Sequence, residues 1–136
     1  MRTEDGQATV EAALTLPVVL IALLMIVQVG VVVRDALALT HAAREGARAA
    51  AVTGDDDAIR AAISKAASTL DTDAIEISID PSEGERRRGG PVTVTLSYSL
   101  RLEIPIVSRI VTADIPLRAS STMRMERVAT TSSPPP

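Results

Sequence analysis

Residues 12–33, AALTLPVVLIALLMIVQVGVVV, form a run of 22 residues without a formal charge, broken only by Thr15, Pro17, Gln28 and Gly30. About 20 apolar residues suffice to carry a helix across the hydrocarbon of a bilayer. In a chain of 136 residues little else is available to surround a cylinder that is apolar on every side. The run therefore predicts a membrane-spanning helix. Pro17 lies near its start, where the carbonyl it frees can be satisfied by neighbouring helices or side chains. One residue resists this description: Glu11 stands at the leading edge of the run. A carboxylate inside hydrocarbon is costly, so it is either a functional group or a boundary residue just outside the apolar layer.

A removable secretory signal is the competing reading. The leader MRTED is not positively charged overall, and the apolar run exceeds the usual length of such a signal. The small-residue site Ala36-Leu37-Ala38 follows Arg34 and Asp35, so cleavage there would leave Leu39 as the mature terminus. Charge flanks also bear on orientation. Arg2 precedes the run, whereas Arg34, Arg44, Arg48 and Arg60 follow it, which by the positive-inside rule favours a cytoplasmic carboxyl-terminal part.

Beyond Val33 the segment RDALALTHAAREGARAAAV continues the helix with strong helix formers and no proline. Ala42, Gly46 and Ala50 are spaced four apart, and Ala43, Ala47 and Ala51 form a second row. Small residues at this spacing let another backbone approach closely, as in packed membrane helices, although alanine is also simply a good helix former. Gly54 supplies a C-cap near Thr53. Asp55, Asp56 and Asp57 then open a second, shorter helix as a cap and a match to its dipole. Ile59, Ile63, Ala66, Ala67 and Leu70 share its apolar face. Consecutive aspartates lack the alternate ligand spacing and glycine turn of a calcium loop, and no metal is expected.

From Ile75 the period becomes two. Ile75, Ile77 and Ile79 alternate with polar residues, and Val92, Val94, Leu96, Tyr98, Leu100, Leu102 and Ile104 do the same over a longer stretch. A third candidate strand covers residues 115–128, with Leu117, Ala119, Met123 and Met125 inward. The connection IVSRIVTAD, bracketed by Pro105 and Pro116, is apolar for a loop and suited to pack on the sheet or on a partner. GERRRGG between the first two strands reads as a solvated hairpin tip, with attraction of an anionic polymer the sharper alternative. The expectation is an α+β chain: a long membrane helix continuing into a stem, a short second helix, and a small antiparallel sheet of about three strands packed on the helices. Its parts are a leader (1–6), the helix and stem (7–54), an α+β domain (55–128) and a proline-rich tail (129–136).

Composition narrows the function. There is no Trp or Phe and only one Tyr, so the core must be made of Ile, Val, Leu and Ala and would gain from partners. No cysteine is available for a disulfide, a nucleophile or a thiolate metal site. The single histidine, His41, falls in the predicted stem without a second ligand or a nucleophile near it in sequence, so no enzyme, cofactor or small-molecule substrate is expected. A net charge of −3 without aromatic stacking surfaces argues against nucleic acid.

A polar leader ending in glycine, then QATVE entering an apolar helix that runs on into a stem, resembles type IV pilin-like proteins. GQATVEAALTLPVVL, HAAREGARAAA and PLRASSTMRME together resemble the TadE-like family, the pseudopilins of the Flp, or tight-adherence, pilus system. That resemblance implies cleavage after Gly6 by a membrane prepilin peptidase, which makes Gln7 the mature amino terminus. It also implies a cytoplasmic leader and an extracytoplasmic sheet, opposite to the arginine count. The leader departs from the family archetype in being acidic.

The implied cleavage has a physical consequence. The new ammonium on Gln7 lies one helical turn from Glu11, and a neighbouring subunit's ammonium can pair with that carboxylate, lowering the cost of burying either charge. On this reading the chain packs with other pilin-like subunits and the pilus assembly machinery, in pilus biogenesis and adherence. Ala42, Ala43, Gly46, Ala47 and Ala50 are then candidate helix-packing positions. The alternative is a single-pass, membrane-tethered binding module that does not polymerise, gripping a protein through its sheet or residues 106–111.

Overall fold

The computed structural model of the protein describes residues 3–102 and 113–126. Outside them lie Ile104, the apolar connection at 106–111, the end of the third candidate strand at 127–128 and the tail at 129–136. The expected α+β architecture is found. Helix α1, Thr3–Thr53, is one uninterrupted element of 51 residues, and helix α2, Asp56–Ala66, folds back along it. Strands β1 (Ile75–Asp80), β2 (Pro91–Leu102) and β3 (Ala113–Arg124) form an antiparallel sheet in the order β1-β2-β3.

The turn between the helices follows from three residues. Gly54 takes a φ of +69°, a left-handed conformation that glycine adopts without a side-chain penalty, and its N–H donates to the Ala50 carbonyl at 3.1 Å. Asp55 then caps α2, its carboxylate accepting from the Asp57 N–H at 3.3 Å. Asp56 and Asp57 lie in the first turn, where the helix dipole favours negative charge.

The core lies between the carboxyl-terminal half of α1, α2 and one face of the sheet. Leu39, Ile59, Ile63, Val92, Val94 and Leu96 are its largest fully buried side chains. Sheet register sets the inward rows Ile75–Tyr98–Leu117, Ile77–Leu96–Ala119 and Ile79–Val94–Ser121. The alternation read from sequence thus places the intended face on the helices. One inward position differs from expectation: Met123, at the far end of edge strand β3, is 36% exposed although it pairs with buried Val92.

With no Trp or Phe and a single Tyr, the core is closed by short distances rather than by bulk. A Cβ placed on Gly46 would meet Ile63 Cγ1 at 2.6 Å, Ile63 Cδ1 at 2.9 Å and Val94 Cγ1 at 3.3 Å. Both α2 and β2 therefore reach α1 at the same residue, and a hydrogen side chain is what lets them do so.

The hairpin tip requires a correction. The Arg86 side chain is 2% exposed rather than solvated. Its Nε donates to the Pro81 carbonyl at 3.0 Å, its Nη1 to the Gly54 carbonyl at 2.6 Å, and its Nη2 to the Asp56 carboxylate. One planar guanidinium thus ties the end of α1, the start of α2 and the β1–β2 connection together, a task suited to its fixed fork of donors. Its neighbours Arg87 and Arg88 remain exposed, as expected of a tip. At the same end Glu126 N–H donates to the Ala51 carbonyl at 3.0 Å, closing β3 onto α1.

Three substitutions test this packing. Gly46→Val should destabilise the folded domain by about 1–3 kcal/mol through overpacking, seen as a drop in the circular-dichroism melting temperature in detergent. Arg86→Met should cost about 2–4 kcal/mol by leaving carbonyls and a carboxylate without their donor. Arg86→Lys should recover only a minor part, because one ammonium cannot cover three diverging acceptors.

Candidate functional site

The candidate site is the amino-terminal half of α1. From Gly6 to Leu23 every described side chain is exposed, and the first buried one is Asp35. Leu14 at 71%, Ile26 at 69% and Leu20 at 47% point about a third of a turn apart, so the exposure is not confined to one stripe. Residues 12–33 rise about 33 Å at 1.5 Å per residue, against a hydrocarbon thickness of about 30 Å. Within the span Gly6–Thr53, α1 is long and apolar enough to cross a membrane, and its apolar window is wholly unburied by the protein itself.

Why the same helix is bare at one end and buried at the other is visible in its residues. The amino-terminal half is branched and apolar all round, so no single face can satisfy it. After Arg34 the pattern becomes one-sided: Leu39, Ala42, Ala43, Gly46, Ala47 and Ala50 turn inward, while His41, Arg44 and Arg48 stay in solvent. Asp35 marks the change. It is 3% exposed and accepts from Arg34 Nε at 3.0 Å, with the guanidinium itself largely in solvent.

The helix runs through Pro17, which has no N–H for the Ala13 carbonyl. An almost wholly apolar hollow lined by Ala12, Ala13, Thr15, Leu16 and Val19 lies beside it. Gly6, Gln7 and Glu11 are all exposed on the first turns of α1, and nothing lies within 4 Å of a Cβ built on Gly6. Gln7 and Glu11, four residues apart, share a face about 6 Å apart along the axis. Their side chains are open to a neighbour.

The candidate residues thus separate into two groups. Gly6, Gln7 and Glu11 stand free on the projecting helix, whereas Ala42, Ala43, Gly46, Ala47 and Ala50 are buried within the chain's own core. The close approach allowed by the small-residue rows is made here by α2 and the sheet. Sequence reasoning missed Arg86 and Asp35. Arg86 carries no signal that separates it from the two arginines after it, and Asp35 reads as one half of a charged stop at the end of the span.

The site and fold define a class: a single apolar helix long enough to cross a membrane, carrying a small α+β domain on its carboxyl-terminal half. Residues 6–48 match the family model described as TadE-like protein, the family that the motifs resembled. The match begins at Gly6 and ends inside α1, before α2 and the sheet. The matched segment is thus TadE-like, and it contains the amino-terminal candidate membrane span. No curated protein and no solved structure matches the chain.

A charge in mid-span should disturb insertion selectively. Leu23→Arg should weaken membrane insertion by about 2.5–3.5 kcal/mol, measured as loss of the protein from the alkali-resistant membrane fraction, with Leu23→Ala close to wild type.

Proposed function

We propose that the protein is a TadE-like minor pseudopilin that acts by assembly and not by catalysis, inserting through residues 12–33 and packing with other pilin-like subunits in the biogenesis of an Flp-type pilus used for adherence. The observation that carries this reading is the helix surface left bare beside a completed core, within a segment that matches the TadE-like family. The small domain has already used the one-sided half of α1 for its own folding. The all-round apolar half is what remains for lipid and for the helices of other subunits.

In this mechanism a prepilin peptidase removes residues 1–6, cutting between Gly6 and Gln7. The bond lies in the first turns of α1, where helices fray most readily, and Gly6 lowers the local helix preference by about 1 kcal/mol relative to alanine. Cleavage leaves an ammonium on Gln7. In the assembled state the Glu11 carboxylate of one subunit accepts that ammonium from its neighbour. Each charge is then paired as it leaves water, and the axial register between helices is set by the pair. The leader is cytoplasmic and the sheet extracytoplasmic. Arg44, Arg48 and Arg60 lie within the folded α+β part, on exposed helical faces.

Glu11→Ala separates assembly from tethering. Membrane insertion and domain folding should be retained while incorporation into the pilus fraction falls by tenfold or more, on the order of the 1.4 kcal/mol per decade expected when a paired charge is left alone. Unchanged function in this variant would instead indicate a tethered binding module. Sequencing of the mature amino terminus should return Gln7; an intact leader would overturn the processing step, and Leu39 would indicate a released domain. Protease access to the carboxyl-terminal domain from outside the cell checks the orientation.

A further inference from the structure

Over the rows that β1 spans, the two edges of the sheet carry opposite charge. Among the described residues, no strand pairs with the outer side of β1 or of β3. The register aligns the solvent-facing residues in rows that cross all three strands: Glu76–Ser97–Arg118, Ser78–Thr95–Ser120 and Asp80–Thr93–Thr122. Arg124 lies one same-face step beyond the last row, on β3. The outer columns are exposed and the central hydroxyl column is half-buried. Thr93 bonds to Thr122 at 2.8 Å and Thr95 to Ser120 at 3.3 Å, so the middle of this face is internally satisfied. Over the rows that β1 spans, charge lies at the margins, acidic along β1 and basic along β3; beyond them Arg101 on β2 and Asp114 on β3 lie 3.8 Å apart and offset one another.

We propose that β3 of one copy pairs in parallel with β1 of a neighbouring copy, extending the sheet from subunit to subunit. The strands that would meet are suited by direction. Both β1 and β3 run antiparallel to β2, so they point the same way, and copies whose α1 helices cross one membrane in the same sense present them in parallel. The strands are also suited by level. Ile75 to Asp80 align through β2 with Leu117 to Thr122, just past Pro116, which has no N–H to give to an added strand. In the extended sheet, at a strand spacing of about 4.8 Å, Arg118 of one copy lies beside Glu76 of the next. Arg124 reaches Asp80 diagonally.

Charge on an edge strand is often a guard against pairing. A guard needs only like charge at both edges, whereas here the signs differ. Two β1 edges repel, as do two β3 edges, so a two-fold contact is disfavoured; β3 against β1 attracts and can repeat without closing. This contact rests on the assembly reading above for the side-by-side arrangement of helices, and it carries that arrangement from the membrane to the folded domain.

The chain has no cysteine, so introduced thiols report only on the designed contact. Ser78→Cys and Ser120→Cys are combined in the full chain. Within one molecule the two positions are separated by β2, roughly 10 Å apart, beyond disulfide reach. Mild oxidation in the membranes of the source cells should give a ladder of dimers and higher species from the double variant and none from either single variant. Adding Arg118→Glu should lower cross-link yield about two- to fivefold, and adding Glu76→Arg to that variant should restore it. Dimers from a single-cysteine variant, or no ladder from a folded, inserted double variant, would overturn the proposal. Loss of the ladder with normal pilus incorporation rejects the edge contact and leaves the assembly reading standing. A ladder that persists in Glu11→Ala while incorporation is unchanged does the reverse.

Discussion

Gly46 is where three elements of this small domain meet, because only a residue without a side chain allows Ile63 of α2 and Val94 of β2 to reach the same turn of α1. A core without Phe or Trp has few atoms to fill space, and its cohesion must come from proximity. The alanines that flank Gly46 extend this condition along the helix, giving a smooth surface onto which an isoleucine-bearing helix and a valine- and leucine-bearing strand can settle. The other contacts of the domain follow from this approach. Arg86 can join Gly54, Pro81 and Asp56 because the ends of α1 and α2 and the β1–β2 connection have already been drawn together.

The same helix carries two incompatible surface patterns end to end. Up to Val33 it is apolar on all sides, which suits lipid or other helices; from Asp35 it is apolar on one side, which suits a core in water. Continuity of the α-helical hydrogen bonds lets one element serve both environments without a loop between them. A consequence is geometric: α1 runs through Pro17 from the membrane half into the folded domain as one helix, with no loop before Gly54. A subunit registered by a charge pair at Glu11 and by edges of opposite sign at β1 and β3 would be held at both ends of one helix.

Much of the architecture was legible because period and composition report burial. The uncharged run at 12–33, the glycine C-cap at Gly54, the Asp55 cap and the alternation at 75–79 and 92–100 each have a local physical cause, and the structure has the corresponding element in each place. The projecting site was legible for the same reason, since Gly6, Gln7 and Glu11 lie on a helix whose surroundings the sequence itself describes. Arg86 was not. Three consecutive arginines at a turn are indistinguishable by pattern, and which of them enters the structure depends on where two helix ends arrive from 30 and 32 residues away. Asp35 was hidden likewise, because the burial of a carboxylate in a stem is set by what packs over it.

By itself the sequence determined that the chain has one helix fit for a membrane, a second helix and a small sheet of alternating strands, since each depends on interactions between near neighbours. Tertiary structure alone decided that the small-residue rows at Ala42, Ala43, Gly46, Ala47 and Ala50 are filled from within. It also decided that one arginine of three is a buried tie, and that acid and base fall on opposite edges of one sheet. A spacing of four can specify a smooth helix face but not the surface laid against it; that is settled by the packing of segments distant in the chain, whose only common constraint is the space they share.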